Sequence, residues 1–162
     1  MTSEATHPTA HPAALYPNAP PGPYVQCCIR GGYPITHAEA FRWATLVAEG
    51  TDRHPPKDLD DLDRAVHLLD LIFCKYNDLD CFPVTNPNDP EGKEMSWLVA
   101  TTPRRYEYFP KAEIDEKLGK NEDFWTPSIQ LEQSYLDTNA KEALERKGFK
   151  LQSFHTAFWS LR

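Results

Sequence analysis

The stretch Met95-Ser-Trp-Leu-Val-Ala-Thr-Thr-Pro-Arg-Arg-Tyr-Glu-Tyr-Phe109 decides the fold class. Its first half, Met95 to Thr102, reads as a buried strand. Pro103 interrupts it, because proline removes a donor from a strand ladder. Arg104 to Phe109 reads as the next strand, with Tyr106 and Tyr108 on one face by two-residue alternation. Two strands in succession, with no helix between them, argue against the regular strand–helix alternation of a doubly wound parallel sheet.

Working toward the N-terminus, Leu59, Leu62, Val66, Leu69 and Phe73 recur at helical spacing and predict a helix from about Asp58 to Tyr76. Thr36-His37-Ala38-Glu39 has the form of a capping box, so a helix should run from there to about Glu49, with Gly50 as its stop. Tyr24 to Ile29 reads as a strand that Gly31-Gly32 ends. A short strand is expected over Cys81 to Thr85, and Asn86 to Gly92 is loop by composition.

Toward the C-terminus, Pro110 suits the first turn of a helix ending at Leu118. Residues 128–136 fit strand and helix alike. Asn139 to Lys147 should be helical with Gly148 after it, and Phe149 to Trp159 a strand. These elements predict an α+β fold: a mixed or antiparallel sheet with helices mainly on one face, preceded by an extended proline-rich N-terminal arm. The arm is residues 1–23 and the single compact domain residues 24–162. Residues 1–24 hold six of the fifteen prolines, one acid (Glu4) and no Lys or Arg. Such a segment favours extended backbone.

Composition narrows the function. The formal net charge is −7 and the Lys and Arg residues are scattered, whereas nucleic-acid and anionic-membrane surfaces need clustered cations. Neither is an expected partner. The first residues, Met1 to His7, lack the basic and apolar regions of a signal peptide. The four cysteines, Cys27, Cys28, Cys74 and Cys81, then read as free thiols in a cytoplasmic or nuclear protein rather than as disulfides. Their spacing has no CxxC pattern, and GxGxxG, GxxxxGK[ST], GxSxG and HExxH are all missing. No cofactor and no metal is expected.

Three residue groups can carry function. On the second helix Asp63, His67 and Asp70 share one face, and a carboxylate–imidazole–carboxylate row can hold a cation. That face lies opposite the apolar stripe, so it reads more plainly as a solvated acidic surface. Leu71 stands on it as a protein-contact candidate. Second, Arg104, Tyr106 and Tyr108 on one strand face, with His155 on the last strand, could line a pocket in which arginine holds an anion and Tyr or His moves a proton. The catalytic candidates are His155, Tyr106, Glu107 and His37; the ligand-binding candidates are Arg104, Tyr108 and Trp97. Third, Pro17, Pro20 and Pro23 have the PxxP spacing that SH3-type grooves read. With exposed aromatics such as Trp125, they are protein-contact candidates.

On this reading the chain is a non-catalytic protein-binding or regulatory protein that uses its arm and an acidic, aromatic surface, with a protein partner or self-association. The alternative is a small enzyme or small-molecule-binding protein with an aromatic-lined pocket between sheet and helices.

Overall fold

A computed structural model describes residues 22–73, 79–86, 89, 91, 94–118 and 130–160. The element order is β1 (Tyr24–Thr36), α1 (His37–Thr51), α2 (Leu62–Phe73), β2 (Asp80–Thr85), β3 (Met95–Ala100), β4 (Arg105–Pro110), α3 (Lys111–Leu118), α4 (Tyr135–Arg146) and β5 (His155–Ser160). The five strands form one antiparallel sheet. Together with the four helices they make an α+β fold.

β1 is the spine. β3 and β5 both pair with Gly32, and β4 and β5 both pair with Cys27, Cys28 and Ile29. A strand has only two edges, so β5 takes one and β3 and β4 follow each other along the other. Between those two, Arg30 and Gly31 face residues 101–104, so two residues oppose four. The excess is absorbed as a bulge. The Gly31 carbonyl accepts from both Thr101 and Thr102 amides (2.9 and 3.1 Å), and the Gly31 amide donates to Thr102 Oγ1 at 2.6 Å.

Gly31-Gly32 therefore does not end the strand, as the sequence suggested; it lets the strand continue. A Cβ on Gly32 would lie 2.1 Å from the Val99 carbonyl oxygen, and one on Gly31 2.5 Å from the Phe154 ring. Glycine here permits close backbone approach. Pro83 sits in β2, whose pairing among the described residues is with β3 alone, an edge position that tolerates the missing donor.

Helix ends also moved. Thr36 caps α1 by accepting from the Glu39 amide at 3.1 Å. The Glu39 side chain goes elsewhere, so the box is half made. α1 runs through Gly50, and Asp52 (φ 56°) takes the left-handed cap expected of that glycine. α2 begins at Leu62 rather than Asp58, because residues 57–60 form turns. Leu59 is consequently exposed. α4 begins at Tyr135 rather than Asn139, set by a complete capping box between Ser134 and Asp137. Asp137 is buried and also accepts from Thr101 Oγ1 at 2.8 Å, which ties α4 to the bulge.

Side-chain alternation divides the sheet into two faces. On one, Ile35, Trp97, Val99 and Cys81 pack with Ala40, Phe41, Ala44 and Ala48 of α1, Ala65, Leu68, Leu69 and Phe73 of α2, and Leu144 of α4. Cys27, Ile29 and Phe109 pack with Ile114 of α3 on the same face. Phe149, read from sequence as strand, instead stacks on Trp43 with ring centroids 3.9 Å apart. The other face carries a third cluster of Val84, Leu98, Ala100 and Ala157, with Phe82 against it.

Candidate functional site

On the face away from the helices, the even-numbered residues of β1 meet Tyr106 and Tyr108 of β4 and His155 and Ala157 of β5. Tyr106 stands opposite Cys28, and His155 stands opposite Gly32 on the far edge of β1. Four residues of strand separate those positions, about 13 Å along the sheet. Tyr106, Tyr108 and His155 thus share a face without sharing a pocket. Arg30 lies between them.

Arg30 is 1 % exposed. Its Nη1 donates to Asp80 Oδ2 at 2.9 Å and its Nε to the Thr102 carbonyl at 2.9 Å. Arg104, at the β3–β4 bulge, reaches the same Asp80 oxygen at 3.3 Å but keeps 59 % of its side chain exposed. One carboxylate from β2 therefore bridges a buried and an exposed guanidinium. The Cys28 thiol beside them is pushed up by burial, against the pull of Arg30 and Arg104. Tyr106 is 50 % exposed, and Arg105 keeps 55 % of its side chain exposed while pairing with Glu107 at 2.6 Å. Glu107 alternates onto the helix side, opposite Cys27, away from Tyr106. Arg105, opposite Ile29, turns to the helix side with Glu107, whereas Arg104 and Tyr106 form an arginine–tyrosine surface braced from beneath by Asp80 and Arg30.

His37 and Trp97 form one unit elsewhere. Trp97 is fully buried. Its Nε1–H can only donate, and it donates to His37 Nδ1 at 3.0 Å. His37 Nε2 lies 2.7 Å from the Leu59 carbonyl. The bonds fix the neutral tautomer with hydrogen on Nε2, and they pin the start of α1 to the 52–61 connection. His155 is half-buried, and burial lowers its pKa.

Three buried groups have clear chemical character. Glu39 accepts from Arg42 (2.6 and 3.0 Å), Trp43 Nε1 (2.9 Å) and the Lys150 amide (3.1 Å). Arg42 is the main reason its carboxyl is lowered to about 2, against opposing burial. Burial pushes the Cys27 thiol up to about 12 and raises that of Cys81 further. These thiols are held protonated and hence poorly nucleophilic.

Of the contact candidates, Leu71 is half-buried and packs against the large helix-side cluster. Pro23 is exposed, and its carbonyl accepts from the Lys111 amide at 2.8 Å. Pro17, Pro20 and Trp125 lie outside the described residues, as does Cys74. On α2, burial raises the Asp70 carboxyl, with Asp80 adding to the rise and His67 opposing it. Among the described residues no three His, Cys, Asp or Glu side chains group as metal ligands, and no helix is long and apolar enough to cross a membrane.

The Arg30–Asp80–Arg104 bridge and the Glu39 hub were not read from sequence. A charged residue between Ile29 and Gly31 in a strand signals a need for a partner, but Asp80 lies fifty positions away. No family model, curated protein or solved structure matches this chain.

Proposed function

We propose that this is a non-catalytic protein-binding or regulatory protein whose contact surface is Arg104 and Tyr106 at the start of β4. The observation that carries the reading is the joint exposure of these two side chains (59 and 50 %). Exposed Tyr and Arg together are the residue types that dominate binding energy in interfaces. On a chain of net charge −7 they make a local cationic, aromatic island suited to an acidic segment of a partner. Asp80 orients Arg104 in advance, which lowers the ordering cost of contact.

The fixed state of the reactive groups also supports it. His37 has both ring nitrogens in structural bonds, Glu39 is held ionised by Arg42, and the Cys27 and Cys81 thiols are held protonated. The Pro17, Pro20 and Pro23 spacing adds a second contact only if the arm is free of its own domain.

Affinity capture with the full-length protein tests the reading, comparing wild type with an Arg104→Ala/Tyr106→Ala variant of equal thermal stability. Two contacts of hot-spot strength, about 2 kcal/mol each, predict a roughly thousandfold weaker hold on the partner. An unchanged set of captured proteins contradicts the reading. So does a small-molecule mass in native mass spectrometry that disappears on denaturation, which moves the function to a ligand pocket.

A further inference from the structure

The outward face of β4 continues past Arg104 and Tyr106. Tyr108, two residues further on, shares that face and is half-buried. It stands opposite Gln26 of β1, which is exposed. From Arg104 through Tyr106 to Tyr108 is four residues, or about 13 Å of strand. The row therefore offers, in order, a guanidinium, a phenol ring, and a second phenol ring with an amide beside it.

The cationic end carries one positive charge in excess. Arg30 and Arg104 both bond to Asp80 Oδ2, at 2.9 and 3.3 Å, so two guanidiniums share one carboxylate. The Cys28 thiol beside them adds no charge, because burial raises its pKa. Arg104 makes the longer of the two bonds, keeps 59 % of its side chain exposed, and also bonds toward the Tyr106 hydroxyl. A guanidinium has five N–H donors in a planar fork, so Arg104 can take a further acceptor without leaving Asp80. One incoming carboxylate neutralises the group, and the fork matches its two oxygens. A dianion would leave a charge uncompensated.

Given the protein-binding role proposed above, we propose that the occupant of this surface is a short extended segment of a partner protein. It carries one Asp or Glu seated on Arg104, and apolar residues or prolines at two-residue spacing seated on Tyr106 and Tyr108. Outward side chains two apart on β4 are about 6.6 Å from each other. An extended or polyproline segment sets down its own side chains at nearly that interval, about 6.2 Å for polyproline II. Flat aromatic rings suit prolines and aliphatic side chains, as in other grooves that read extended segments. Gln26 completes the match: its amide both donates and accepts, and an extended backbone presents unused N–H and C=O groups to it. A helix has spent those groups internally and would leave the Gln26 amide idle.

A random heptapeptide library displayed on phage, selected against the full-length protein, is the probe. The expected consensus is one Asp or Glu with apolar residues or prolines at two-residue intervals from it. A synthetic consensus peptide should bind the wild-type chain and lose at least about tenfold when its acid becomes the amide, the worth of one charged hydrogen bond. Arg104→Ala should weaken the acid peptide by the same factor and leave the amide peptide unchanged. Tyr108→Ser should abolish the preference for the apolar residue farther from the acid. The acid-to-amide change leaves the protein untouched, so its result does not depend on how any variant folds. No acidic consensus, or binding indifferent to both the amide and Arg104→Ala, overturns the extended segment. Apolar positions recurring at three and four assign the surface to a helix and also overturn it. If affinity capture loses a partner in Arg104→Ala/Tyr106→Ala while the library yields no such consensus, the extended segment fails and the β4 surface stands. If capture too is indifferent to those residues, the binding role beneath it fails as well.

Discussion

Replacing Gly32 by alanine should destabilise the protein more than any other single methyl added to a glycine, because the new carbon has nowhere to go. It would stand 2.1 Å from the Val99 carbonyl oxygen and 2.7 Å from Ala100 Cα, where contact normally begins beyond about 3.4 Å. Both atoms are backbone, held in the β1–β3 ladder, so no rotamer change relieves the clash. Overpacking typically costs about 1–3 kcal/mol, and a clash with fixed backbone belongs at the top of that range. For a chain of this length, 3 kcal/mol lowers Tm by about 6–12 °C. Gly50→Ala supplies the opposite sign. Gly50 lies inside α1 and a Cβ there meets nothing within 4 Å; alanine in a helix gains about 0.5–1 kcal/mol, or about 1–4 °C. Thermal unfolding by circular dichroism measures both. A Gly32→Ala variant within about 2 °C of wild type would refute the reasoning that the two glycines exist for close approach.

Glu39 should make stability depend on acid. Its folded-state pKa of about 2 lies below the ordinary 4.5, so its contribution is complete above pH 4.5 and lost as pH falls toward 2. A shift of that size corresponds to at most about 3 kcal/mol; urea unfolding across this range should show the loss in wild type and a flatter profile in Glu39→Gln. His37→Ala leaves the buried Trp97 indole N–H without its acceptor and should cost about 1–3 kcal/mol, seen as a lower urea midpoint with a shift in tryptophan emission. Asp80→Ala removes a carboxylate from the buried Arg30 and should cost about 2–3 kcal/mol, because Asp80 is itself partly exposed to water. Arg104→Ala, on the exposed side of the same carboxylate, should cost under about 1 kcal/mol. A larger loss for Arg104 than for Asp80 would contradict the assigned layout.

The strands and helices were legible where periodicity and caps are local. Met95 to Phe109 gave two strands in succession, and the structure places β3 and β4 there. Where the reading failed, the cause was tertiary. Gly31-Gly32 resembles a turn until Val99 and Phe154 are seen against it. Ser134 and Asp137 cap α4 in a stretch whose Ile129, Leu131 and Tyr135 fit strand and helix equally. The candidate site divided in the same way. Alternation correctly placed Tyr106 and Tyr108 on one face, but only the register shows His155 on the far edge of β1. Arg30, Asp80 and Arg104 come from three separate parts of the chain, and no local pattern joins them.

The proposed function stands most directly on contact at Tyr106. A photo-crosslinking amino acid at position 106 of the full-length protein, in its native cells, should yield one or a few discrete partner adducts. The same residue at the exposed position Glu142 on α4 should not. No adduct at 106, or the same adducts from both positions, would contradict a protein-binding surface on β4.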